Sequence, residues 1–251
     1  MENTRAEARL QRRLKKRQAK QDQRSRRDQR IQEQPVASPK PNPAPLQAKT
    51  AGQLRLIRAI KDSPQVIVTG PAGTGKSFIP AAMAADWLKE GKVKKIILCR
   101  PMVSVGKSMG FLPGEQNEKL QPWMIPLLEP LIARLGKGFV DYAIKTGKIE
   151  MAPLETMRGR TFADSFVIVD EAQNCTLHEL KMLVTRMGEG QLVIDGDIGQ
   201  TDLASASGLK ALLDIATKHS IDCVSVELGL EDVVRSGIVK QWLTAFYREN
   251  L

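Results

Sequence analysis

Short apolar runs alternate along this chain with longer stretches in which apolar residues recur every three or four positions. Runs of the first kind stand at residues 66–68, 95–100, 148–152, 165–170, 191–195 and 222–227. Each is short and mostly β-branched or apolar, which predicts strands. Helical spacing covers 78–89, 122–135 and 139–145. Thr50 and Gln53 have the spacing of a capping box and open a further helix with Leu54, Ile57 and Ile60 on one face. Thr176 and Glu179 repeat that spacing before a helix expected to run to Met187 and stop at Gly188. Strands separated by helices predict an α/β domain, a mostly parallel sheet with helices on both faces. Between 102 and 115 the pattern loosens into a long glycine-containing loop, and long structureless connections in a compact domain tend to be functional.

One loop interrupts the alternation with chemistry. Gly70-Pro71-Ala72-Gly73-Thr74-Gly75-Lys76-Ser77 fits G-x-x-x-x-G-K-[ST] and lies between the first strand and the 78–89 helix. In such a loop the glycines let successive backbone N–H groups turn around a β-phosphate, and the helix adds the positive end of its dipole. Lys76 would reach the β- and γ-phosphates, and the Ser77 hydroxyl would hold Mg²⁺. ATP and Mg²⁺ are therefore the expected ligands.

The run Phe166-Val167-Ile168-Val169 reads as a fully buried central strand, with Asp170 and Glu171 at its carboxyl end. That edge of a parallel sheet is where the phosphate loop also lies. Two carboxylates there suit hydrolysis, with Asp170 holding Mg²⁺ through water and Glu171 polarising the water that attacks the γ-phosphate. Gly196-Asp197-Ile198-Gly199-Gln200 ends another strand in polar groups, and an amide that both donates and accepts can sense the γ-phosphate and its water. Gln53 has two readings, a simple helix cap or an amide that recognises adenine beside the loop.

Charge separates the chain into parts. Residues 1–32 carry twelve Lys and Arg against four acids, giving +8 of the net +10. With almost no apolar side chains, residues 1–33 form a disordered or fraying basic arm suited to a phosphate backbone. Residues 34–49 form a Pro-rich linker, and 50–251 the folded domain. Cys99, Cys175 and Cys223 are odd in number and widely spaced, as in a reducing compartment. His178 and His219 fall in helical patterns with polar neighbours and read as surface residues. No run approaches membrane-spanning length and no apolar signal core is present, so a soluble, cytoplasmic protein without membrane contact is expected.

These motifs together resemble the PhoH family. Gly70 to Ser77, Asp170-Glu171-Ala172-Gln173 and Gly196-Asp197-x-x-Gln200 look like helicase-type motifs of superfamily 1. The phrases Arg100-Pro101, Phe111-Leu112-Pro113-Gly114, Met157-Arg158-Gly159-Arg160-Thr161, Thr185-Arg186 and Asp232-Val233-Val234-Arg235 resemble that family specifically. The likeness covers residues 50–249, and Asp195 departs from it where a small hydroxyl residue is usual. PhoH-like proteins are ATPases of one RecA-like domain associated with RNA and with helicase action, and the resemblance implies that class here. It makes Gln53 the adenine contact, Gly70 to Ser77 the phosphate and Mg²⁺ groups, Asp170 and Glu171 the hydrolytic pair, and Gln200 the γ-phosphate sensor. Arg235 becomes a candidate γ-phosphate arginine. Arg100, Arg158 and Arg160 are candidates for contact with nucleic acid or for an arginine finger acting in trans, and Arg186 for the finger.

Superfamily 1 enzymes bind ATP between two RecA-like domains, and this chain has room for one. A second copy is expected to complete the site, most simply in a hexameric ring. The expected function is Mg-dependent ATP hydrolysis coupled to binding or remodelling of single-stranded RNA or DNA, RNA favoured. A small-molecule phosphotransferase, or a nucleotide-switched nucleic-acid binder without motor activity, would use the same loop.

Overall fold

The computed structural model describes residues 44–101, 116–200 and 207–249. The basic arm, most of the linker and the loop expected over 102–115 lie outside the described residues. Chain order runs α1 (Ala51–Asp62), β1 (Gln65–Thr69), α2 (Phe78–Lys89), β2 (Lys95–Arg100), α3 (Gln116–Leu135), α4 (Lys137–Lys145) and β3 (Ile149–Pro153). It continues through β4 (Ser165–Val169), α5 (Leu177–Val184), β5 (Gly190–Gly196), α6 (Gly208–Lys218), β6 (Val224–Glu227) and α7 (Gly237–Arg248). The six strands form one sheet in the order β3-β2-β4-β5-β1-β6. Every pairing is parallel.

Successive strand side chains point to opposite faces, so an unbroken apolar run feeds two cores at once. Val66, Val68, Ile96, Leu98, Phe166 and Ile168 meet α1, α2, α3 and α4 on one face. Their neighbours Ile67, Ile97, Val167 and Val169 meet α5 and α6 on the other. Burying each such side chain stabilises the fold by about 1.5–3 kcal/mol before ordering costs. Phe166 adds an edge-to-face contact with Trp87, ring centroids 5.3 Å apart.

Helices α1 and α5 differ in detail from the sequence pattern. In α1 it is Leu56 that joins Ile57 and Ile60 in the core, while Leu54 is exposed. The capping box at Thr50 is half formed: its hydroxyl accepts from the Gln53 N–H, but Gln53 Oε1 takes the Lys49 N–H instead. Helix α5 stops at Val184, short of Met187. Its full capping box at Thr176 and Glu179 is present, but the Phe162 N–H claims the Arg186 carbonyl and the Gly188 N–H claims that of Phe162. That exchange draws 186–188 out of the helix.

Helix α3 begins earlier than the helical spacing predicts and contains Pro122, Pro126 and Pro130. Spaced four apart, they confine the missing N–H groups to one face. Met124, Leu127, Leu128 and Leu131 fill the core on the other side. Leu46 and Ala48 also pack on that core, so the chain before Thr50 already belongs to the domain. Among the described residues no helix is long and apolar enough to cross a membrane.

Candidate active site

Strand order decides what meets at the carboxyl edge of the sheet. β5 lies between β1 and β4, so its last residues stand between the phosphate loop and the acid pair. The loop leaves β1 with the Gly70 N–H on the Gly196 carbonyl, and α2 is wound from Gly75 onward by the Ile79 N–H. Gly73 and Gly75 hold φ at +81° and +92°, a region that side chains with a Cβ rarely adopt. Space matters as much: a Cβ on Gly73 would sit 2.8 Å from Arg235 Cγ, and one on Gly75 3.1 Å from Gln53 Nε2.

Gln53 is buried and donates its amide to the Thr74 carbonyl at 2.8 Å. It therefore braces the loop from α1, and among the described residues its second amide N–H has no partner. Lys76 rests its Nζ 3.5 Å from the Pro71 carbonyl. The Ser77 hydroxyl lies 3.0 Å from Asp170 Oδ1 and 3.1 Å from Asp195 Oδ1. The hydroxyl thus stands between two carboxylates in a close triad. Burial, then the Asp170 charge, push the Asp195 carboxyl well above the usual carboxylate range. Among the described residues its buried Oδ2 has no hydrogen-bond partner. A divalent cation fits such a donor set: a hydroxyl, two carboxylates and an orphaned oxygen. Among the described residues no three His, Cys, Asp or Glu side chains form a metal cage by themselves. Mg²⁺ needs none, because it keeps waters and phosphate oxygens as most of its ligands.

Glu171 holds φ +55°, ψ 38°, a left-handed conformation that a residue with a Cβ keeps only when its surroundings enforce it. Two groups do so. Gln173 donates to Glu171 Oε2, and Arg100 lies 3.4 Å from Oε1 while also reaching Asp170 Oδ2 at 3.3 Å. Gln173 is itself buried and accepts the Asp197 N–H at 3.0 Å. It thus ties the acid to the turn after β5, on which Gln200 is exposed.

The arginines divide. Arg235 packs on Gly73, and with Lys76, Ser77, Pro126, Glu129 and Pro130 it lines a cleft of about 420 Å³. Arg100 is placed against the acid pair of its own chain. Arg160 makes a two-pronged pair with Glu150, and that guanidinium holds the Glu150 carboxyl at about 2. Arg158 is exposed on the turn after 154–157. Arg186 follows α5 just ahead of the start of β5, at the sheet edge away from the loop.

A family model described as PhoH-like protein matches residues 45–247. The chain belongs to the PhoH-like family. The PhoH-like protein of Bacillus subtilis (strain 168) is 43% identical over 209 residues, covering 82% of this chain and 65% of that protein. Protein PhoH of Escherichia coli (strain K12) is 39% identical over 208 residues, 81% and 58% of the two chains. The chain thus spans 58% to 65% of the length of these relatives. The large terminase of a thermophilic bacteriophage shares the fold, with a TM-score of 0.51 at 11% identity over 80% of this chain and 50% of that one.

In this PhoH-like chain the site has the build of a phosphate-binding P-loop, and two of its residues are not assigned a role by sequence alone. Asp195 stands out in the sequence only as a departure at a strand end; the available signal is a charged residue closing the apolar run Leu192-Val193-Ile194. Gln173 lies within a recognisable motif, but its bridge from Glu171 to Asp197 depends on a strand order that the sequence does not display.

Proposed function

We propose that this chain hydrolyses ATP in a Mg-dependent reaction at the β1–β5–β4 edge and couples it to single-stranded nucleic acid, RNA favoured. A second copy, most simply within a hexameric ring, completes the site. The observation that carries the reading is the meeting of Ser77, Asp170 and Asp195 beside a Glu171 held in a strained conformation by Gln173.

The N–H groups of 73–77 and the Lys76 ammonium bind the β- and γ-phosphates of the substrate. Ser77 and Asp170, with Asp195 behind them, would hold Mg²⁺, which supplies charge neutralisation at the phosphate oxygens. Glu171 takes up the proton side of the attacking water, and Gln173 fixes its carboxylate by occupying Oε2. Through Asp197 the same amide carries the state of Glu171 to the turn bearing Gln200. Arg235, lying on Gly73, brings positive charge to the γ-phosphate end of the cleft. The basic arm supports attraction to a polyanion, and with aromatics at 4% of the chain binding runs through the backbone more than through base stacking.

Phosphate release with and without single-stranded RNA or DNA tests this. Lys76→Ala is expected to abolish nucleotide binding or turnover. Glu171→Gln keeps nucleotide affinity and loses about 10²–10⁴ in turnover, the usual weight of a general base. Normal hydrolysis by Glu171→Gln would remove that residue from the role. Turnover that needs a small added acceptor and ignores polynucleotide would indicate a phosphotransferase.

A further inference from the structure

Helix α7 has its apolar face turned to solvent. Ile238, Val239, Trp242 and Phe246 follow one another along a single side of it, and none of its residues is buried. Trp242 and Phe246 are stacked with centroids 5.5 Å apart, yet Ile238 is 67% exposed, Trp242 60% and Phe246 46%. Amphipathic helices bury such a stripe against something. With a large aromatic carrying 150–250 Å², the four side chains expose on the order of 500 Å². Matched by an equal partner area, the contact totals about 1,000 Å², where specific interfaces begin.

By composition the basic arm is a poor match for this stripe. Residues 1–43 hold few large apolar side chains, and their charge is basic. A matching surface lies elsewhere on the same molecule. A cleft of about 260 Å³ opens at the amino edge of the sheet, walled by Ile67, Leu192, Leu212, Ile221 and Cys223. Its lining is mainly apolar, and its size suits an aromatic side chain. Among the described residues both surfaces are open, and the stripe of one copy matches the cleft of another in apolar character.

We propose that α7 docks head to tail on a second copy of this chain, Trp242 entering that copy's apolar cleft with Phe246 stacked against it at the mouth, and that the docked copy delivers Arg186 to the nucleotide. The placement follows from continuity at both ends. The Val234 N–H bonds the Gly73 carbonyl, Arg235 packs on the loop, and α7 starts two residues later. Trp242 is about 8 Å along the helix from that start. Val184 and Thr185 also line the cleft, and Arg186 is the next residue. Because stripe and cleft are different surfaces, the contact is heterologous and closes as a ring when the rotation permits. This inference rests on the reading that a second copy completes the site, but its tests do not require turnover.

Light scattering of the full chain should show an oligomer that Trp242→Glu reduces to a monomer. The position is exposed, so fluorescent-nucleotide binding should persist in the variant and report a folded site. In Phe246→Cys, a bismaleimide should link the new thiol to Cys223 of another copy and give a ladder of covalent multimers, abolished when Cys223→Ser is added. Arg186→Ala should keep the oligomer and nucleotide binding while lowering turnover at least tenfold. A monomeric wild type, an oligomer indifferent to Trp242→Glu, or absence of the ladder each overturns the docking. Unchanged turnover in Arg186→Ala overturns the arginine assignment. An oligomer that obeys these tests but hydrolyses nothing would leave the docking standing and sink the hydrolytic reading instead.

Discussion

Asp195 and Asp170 face one hydroxyl in a buried corner, and this arrangement costs the nucleotide-free chain stability. The raised Asp195 carboxyl has a definite sign in linkage. Unfolded, it ionises near its usual 3.8; folded, it keeps its proton to higher pH. Stability of the metal-free chain therefore falls as pH rises from about that usual value through the raised one. Asp195→Asn abolishes this slope and should stabilise the EDTA-treated chain by about 1–3 kcal/mol at pH 7. For a domain of this size that raises Tm by about 2–4 °C per kcal/mol. The advantage should shrink near pH 4 and reverse when MgATP is added, because wild type gains an ionic ligand that the amide lacks. Scanning calorimetry at pH 4 and 7, with and without MgATP, decides it; a gain of equal size under all conditions would show that charge is not the cause.

At the scale of elements, the segment between β6 and α7 latches the phosphate loop from the far side of the chain. Asp232 is buried and accepts from the N–H groups of Gly52 and Gly229, both at 3.0 Å. Burial alone would raise its carboxyl, but hydrogen bonds from Thr50, Gly229 and Gly52 outweigh that and hold it below its usual value. Its contribution is present above the usual carboxylate value and is lost as pH falls through the lowered one. Asp232→Ala should cost about 1–3 kcal/mol near pH 7, flatten the acid limb of the stability profile, and weaken nucleotide binding by loosening Val234 and Arg235 on Gly73. Urea unfolding at pH 3 and 7, read beside nucleotide titration, measures all three. None of this coupling is legible in the linear chain, whereas the loop, the Asp170–Glu171 pair and the strand and helix alternation are. Those features need only neighbours in sequence. The Gln53 brace on Thr74, the Arg160 pair with Glu150 and the placement of Asp195 need the order in which strands assemble. Likewise the Leu54 and Leu56 exchange turns on where α1 sits against the sheet, which helical spacing alone leaves free.

For the molecule as a whole, charge and chemistry occupy separate stretches of chain. Residues 1–32 hold +8 of the +10, and the proposed catalytic machinery begins with Gln53. A cut that separates them must respect the core: Leu46 and Ala48 pack on it, and the Ala44 carbonyl accepts from Arg134 at 3.1 Å. Deleting residues 1–43 removes the arm and keeps these contacts. Nucleotide binding and phosphate release without polynucleotide should be unchanged. Affinity for single-stranded RNA should fall, and the slope of log affinity against log salt should flatten by about 0.7 for each phosphate no longer neutralised. With eight excess charges in residues 1–32, the flattening reaches about 5 or 6 if each engages one phosphate. Filter binding between about 50 and 200 mM salt, on full-length and shortened chains, reads both intercept and slope. Loss of hydrolysis along with affinity would make the arm part of the engine; an unchanged slope would leave polynucleotide binding to the folded domain alone.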